Sequence, residues 1–138
     1  MIPLCLGLVV AIISAVGLTS MPETSIAATL LTADQATRVV SLQNVRDKDG
    51  EVAGEVVNNS KQTLRDVQLQ ILYSWRWKNE FRPGTDDPGR AVYYMIDKEI
   101  PPGQSARFVY KPSPPFSSRG DGYFEITVSV VGFAQVYR

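Results

Sequence analysis

Residues 64–78 read LRDVQLQILYSWRWK, and this stretch decides the fold. Its odd positions are Val67, Leu69, Ile71, Tyr73, Trp75 and Trp77; its even ones are Asp66, Gln68, Gln70, Leu72, Ser74, Arg76 and Lys78. Apart from Leu72 this is strict apolar–polar alternation, the period of a strand with one buried and one wet face. A helix would scatter the same residues around its whole circumference. The stretch predicts a long β-strand.

The same period extends outward on both sides. Thr37 to Arg46 is rich in β-branched residues and reads as a strand, closed by Asp47-Lys48-Asp49-Gly50. Asp-Gly signals a tight turn because glycine takes positive φ at little cost. Glu51 to Val57 returns, with Gly54 marking a bulge or a close backbone approach. Asn58-Asn59-Ser60-Lys61 turns the chain into the long strand. Beyond it, Asn79 to Arg90 (NEFRPGTDDPGR) carries two Pro-Gly signals and predicts a long loop. Ala91 to Ile96, Ser105 to Tyr110 and Tyr123 to Arg138 read as further strands, the last bent or bulged at Gly132. Lys111 to Gly122 is a second long loop. Its segment Lys111-Pro112-Ser113-Pro114-Pro115-Phe116 reads as a stiff connection with Phe116 tucked inward, in preference to a polyproline II ligand. No helix of any length and no repeat is visible. The pattern predicts an all-β fold for residues 37–138, an antiparallel immunoglobulin-like β-sandwich of about seven strands, with an up-and-down barrel as the alternative.

Residues 1–20 contain no charged side chain, and the apolar run from Leu4 to Leu18 fits a secretory h-region better than a full membrane span. Ser25-Ile26-Ala27 places small residues at a cleavage site, so residues 1–27 read as a signal peptide, with an uncleaved anchor as the alternative. Residues 28–36 read as a linker or a short helical turn. The expected location is the periplasm or the extracellular space, with membrane contact only through residues 1–20 if the segment is retained.

Composition removes whole classes of chemistry. The 138 residues include no histidine and one cysteine, Cys5, inside the apolar segment. Ser-His-Asp or Cys-His catalysis, imidazole-ligated zinc, an internal disulfide and a CxxC pair are therefore all excluded. Fourteen basic and fourteen acidic side chains give zero formal charge and no overall attraction to nucleic acid.

Three runs carry a family resemblance. Gly54-Glu55-Val56-Val57-Asn58-Asn59-Ser60, then Leu64-Arg65-Asp66-Val67-Gln68-Leu69, then Ile100-Pro101-Pro102-Gly103-Gln104-Ser105-Ala106-Arg107-Phe108, together resemble the FxLYD-type bacterial envelope domain. Of the naming motif, Gln70-Ile71-Leu72-Tyr73-Ser74 keeps Leu72 and Tyr73. The resemblance spans about Val39 to Val131. It implies a β-sandwich of the cell envelope with no established catalytic activity, and it transfers no functional residues.

Among residue groups that carry chemistry, Trp77 stands at a strand end beside a loop holding Phe81, Arg82, Asp86, Asp87 and Arg90, with Tyr94 just beyond. An aromatic next to polar groups stacks on a sugar or on a partner's side chain, so these seven residues form the candidate binding site. Tyr73 and Trp75 share the face of Val67, Leu69 and Ile71 and are assigned to the core. Glu80, Asp86, Asp87 and Asp97 offer carboxylates without calcium-loop spacing, and solvated turns explain them better than catalysis or metal binding. Arg119-Gly120-Asp121 has the form of an integrin-recognition tripeptide, and Asn58-Asn59-Ser60 that of a glycosylation sequon; ordinary turn chemistry accounts for both. The reading that results is a non-enzymatic domain without cofactor or metal. It contacts another envelope or membrane-associated protein, and a glycan is the alternative ligand.

Overall fold

The computed structural model describes residues 32–137. The proposed signal segment, with Cys5, and residues 28–31 of the linker lie outside the described residues. Seven elements follow in order: α1 (Ala33–Val39), β1 (Val40–Lys48), β2 (Glu51–Asn58), β3 (Thr63–Trp77), β4 (Arg90–Ile96), β5 (Ser105–Tyr110) and β6 (Gly122–Val136). The strands form two three-stranded sheets, ordered β1-β2-β5 and β4-β3-β6, and every pairing is antiparallel. One hydrophobic core draws on both, with Val52, Val56 and Phe108 from the first sheet and Leu64, Val67, Leu69, Ile71 and Tyr73 from the second.

The alternation of β3 is the burial pattern of β3. Val67, Leu69, Ile71 and Tyr73 are fully buried, while Leu72 and Arg76 on the opposite face are exposed. Leu64, an even position, is also fully buried. The pairing with β6 shifts between Arg65 and Gln68, and Asp66 adopts a φ of 51°. An inserted residue of this kind flips the side-chain parity, so both Leu64 and Val67 reach the core.

Turn chemistry acts where it was expected. Lys48 pairs with Glu51, leaving a two-residue hairpin in which Asp49 and Gly50 have φ of 53° and 83°. Two successive positive φ values give the turn a twist that matches its strands. Gly54 is a point of close approach: a Cβ there would sit 3.0 Å from the Phe108 ring, which crosses it from the paired position on β5.

Two expectations are corrected. Thr37, Arg38 and Val39 are helical, and β1 starts only at Val40. Thr32 and Gln35 form a reciprocal capping box, which satisfies two backbone donors and nucleates the short helix despite the β-branched residues that follow. The described residues also form six strands where about seven were expected. Gly132 disturbs the register opposite Gln68, and β6 runs through it to Val136 as one bulged strand.

Candidate functional site

Charged and aromatic side chains gather where β3 ends. Trp75 and Trp77 sit on the same face of the strand, two residues apart, with rings edge to face at 5.9 Å. The loop between β3 and β4 folds back over them at Gly84, where a Cβ would lie 2.6 Å from the Trp77 ring. The loop between β5 and β6 closes from the other direction. Its Arg119 guanidinium lies 5.0 Å from the Trp75 ring centre and 5.4 Å from that of Trp77.

Arg119 is held by two carboxylates. Its Nη2 donates to Asp121 Oδ2 at 2.6 Å and its Nε to Asp121 Oδ1 at 3.0 Å, while Nη1 donates to Asp86 Oδ2 at 3.1 Å. This fork geometry is the one a planar guanidinium is built to make. The hydrogen bond from Arg119 holds the Asp121 carboxyl below the usual carboxylate range, and the same bond raises the Arg119 pKa. The clamp is therefore intact at neutral pH and is lost only as pH falls through that depressed value. The tripeptide 119–121 is thus folded on itself, its two charged ends paired with each other rather than presented outward.

The seven candidate residues separate in space. Trp77 and Asp86 come together, but through Arg119, which sequence reasoning had not placed there. Phe81 stands 97% exposed at the tip of a turn built on Asn79, whose side chain and carbonyl accept from the Phe81 and Arg82 N–H groups. Arg82 is exposed on the same turn. Asp87 accepts from the Gly89 N–H at 2.7 Å and shapes the entry to β4. Arg90 donates to the Pro114 carbonyl at 2.9 Å and lies 4.2 Å from the Phe116 ring centre, pinning the second loop. Tyr94 points the other way, packing against the core near Phe108 and Tyr110. Trp77 already has Gly84 and Arg119 against its ring, so the only freely exposed aromatic of the set is Phe81. Arg119→Gln is expected to leave global stability nearly unchanged but to red-shift the tryptophan emission and raise its quenching by acrylamide; an unaltered spectrum would mean the guanidinium does not cover the pair.

Asn58, the acceptor residue of the apparent sequon, is fully buried. Its amide nitrogen donates to the Gln62 and Ile100 carbonyls at 2.7 and 2.8 Å, and its oxygen accepts from the Ser60 N–H and hydroxyl at 2.9 and 2.7 Å. Every hydrogen-bonding position of that amide is in use. In the folded protein it is a structural joint and not a modification site. Among the described residues, no group of three or more Cys, Asp or Glu is arranged to hold a metal.

The outer face of the second sheet has a different character. Cross-strand rows place Leu72 between Ala91 and Thr127, Gln70 between Tyr93 and Ser129, and Gln68 beside Met95. None of these carries charge. Leu72, Tyr93 and Met95 are 40%, 59% and 45% exposed, and Gln70 donates to the Tyr93 hydroxyl at 3.1 Å. Charge returns at the two ends of β3, where Arg76 pairs with Glu125 at 2.6 Å and Arg65 with Asp66 at 3.3 Å.

Neither a family model, nor a curated protein, nor a solved structure matches the chain.

Proposed function

We propose that this chain is an exported, immunoglobulin-like β-sandwich domain of the cell envelope that works by protein–protein contact and not by catalysis. The observation that carries the reading is the charge-free middle of the outer face of β4-β3-β6, around Leu72, Tyr93 and Met95. Isolated exposed apolar residues are normal, but an uncharged row-by-row patch with an aromatic and a methionine matches the composition of interface cores. Two sheets around one core support the sandwich, and the short runs shared with FxLYD-type domains support the envelope setting. Retention of residues 1–20 would tether the domain to a membrane; among the described residues no helix is long and apolar enough to cross one.

The test is a photo-crosslinking amino acid at position 93, introduced in the native host. It should trap one envelope protein in near-stoichiometric yield, and Met95→Glu should abolish the adduct without lowering the melting temperature. A diffuse ladder of adducts, or one unchanged by Met95→Glu, would overturn the assignment. A glycan array on which binding depends on Phe81 would instead favour a carbohydrate ligand.

A further inference from the structure

We propose that the free edge of β6 is a self-association site, at which two copies of the chain pair antiparallel and join their second sheets. β6 is the last strand of its sheet, and among the described residues no strand pairs with its second edge. Natural edges are normally guarded by charge, bulges, proline or shortness. The other three are. β1 has a register shift between Gln43 and Arg46 followed by Arg46, Asp47 and Lys48, while β4 and β5 are only 7 and 6 residues long, with Arg90 and Arg107. β6 runs for 15 residues without lysine, arginine or proline; its one charge is Glu125, and its bulge at Val131 lies outside the stretch from Phe124 to Val130.

Its inward side chains are also incompletely covered. Ile126, Val128 and Val130 are half-buried, whereas their partners on β3, Tyr73, Ile71 and Leu69, are fully buried. Beside them an apolar groove opens between the sheets, bordered by Val40 and Leu42 of β1.

A second copy suits this edge for a reason of register and charge. Antiparallel pairing about Thr127 sets Phe124 opposite Val130 of the second copy and Ile126 opposite Val128 of the second copy. Aromatic and β-branched residues in such cross-strand pairs stabilise a sheet. The same register sets Glu125 opposite Ser129 of the second copy, so the two carboxylates never meet. The contact is isologous and closes on itself, which yields a dimer and not a filament. With one strand contributed per copy the interface is small, so dimerisation should depend on concentration.

Sedimentation velocity of the mature protein over a wide concentration range is the test. The wild type should pass from monomer to dimer, Thr127→Val should do the same, and Thr127→Lys, which puts two lysines on the axis, should weaken dimerisation roughly tenfold or more. Thr127 is exposed, so the lysine should leave the melting temperature in place. A wild type monomeric throughout, association unaffected by Thr127→Lys, or an edge filled by a co-purified strand of another protein would each overturn the proposal. The outer-face assignment is tested on β4, at Tyr93 and Met95, so either reading can fail without the other.

Discussion

Tyr73→Ala is expected to lower the unfolding free energy by about 4 kcal/mol, in line with large aromatic-to-alanine changes in cores. Tyr73 is fully buried at the middle of β3, with its ring 4.7 Å from Phe116 and 6.1 Å from Phe124. Its hydroxyl donates to the Gly50 carbonyl at 2.7 Å, tying the hairpin of the first sheet to the central strand of the second. Removing the ring opens a cavity and cuts that tie together. Tyr73→Phe isolates the tie and should cost about 1–2 kcal/mol, since it leaves the Gly50 carbonyl without its donor.

The same hydroxyl gives a pH signature. Burial, reinforced by the nearby Tyr110, pushes its pKa from 10.0 up to about 12, against the opposing pull of Arg90. The unfolded chain releases this proton first, so the folded state binds more protons through that interval. The stability held by the neutral phenol is fully present below pH 10.0 and is lost as pH rises through about 12. Denaturant titrations across that range should show a steeper decline for the wild type than for Tyr73→Phe. Parallel curves would place the ionising group elsewhere.

Asn58→Ala is the second large effect, at about 3 kcal/mol, or on the order of 15 °C in melting temperature. The side chain closes the turn from Asn58 to Gln62, and through Ile100 it holds the segment leading into β5. The backbone of the same residue donates to Gln104 and accepts from Gly103, both at 2.9 Å. Alanine would leave two carbonyls and the Ser60 donors unsatisfied in a buried place, where desolvation is not recovered from water. Asn58→Asp should be nearly as damaging, because a carboxylate keeps the acceptor but loses both donors and faces two carbonyl oxygens. A loss below about 1 kcal/mol in equilibrium denaturation would show that water replaces the amide.

Much of the fold was legible in short-range pattern. The period of two in residues 67–77, the Asp49-Gly50 turn, the close approach at Gly54 and the irregularity at Gly132 all follow from backbone sterics and local side-chain order. The short helix was readable in principle, since Thr32 and Gln35 stand at capping-box spacing, but the β-branched run behind them masked it. The candidate site was far less legible. Trp77, Asp86 and Arg119 belong together only because two loops close over one strand end, and the hydrogen bonds between Arg119 and Asp86 span 33 residues. No periodicity links positions so far apart. The charged tripeptide 119–121 resembled a recognition motif for the same reason: Asp86 and the tryptophan rings that hold Arg119 in place are distant in sequence.

Leu72 joins the two levels. In sequence it is the single break in an otherwise strict alternation; in the fold it lies in the uncharged middle of a sheet face, flanked by Ala91 and Thr127. The sequence by itself determined an all-β chain, its turns and the exclusion of histidine chemistry and of an internal disulfide, because these depend on composition and on neighbours a few residues apart. Tertiary structure decided which strands share a sheet, that Arg119 covers the tryptophan pair, and that Asn58 is a buried joint. Those outcomes depend on which distant side chains satisfy one another once water has been removed from between them.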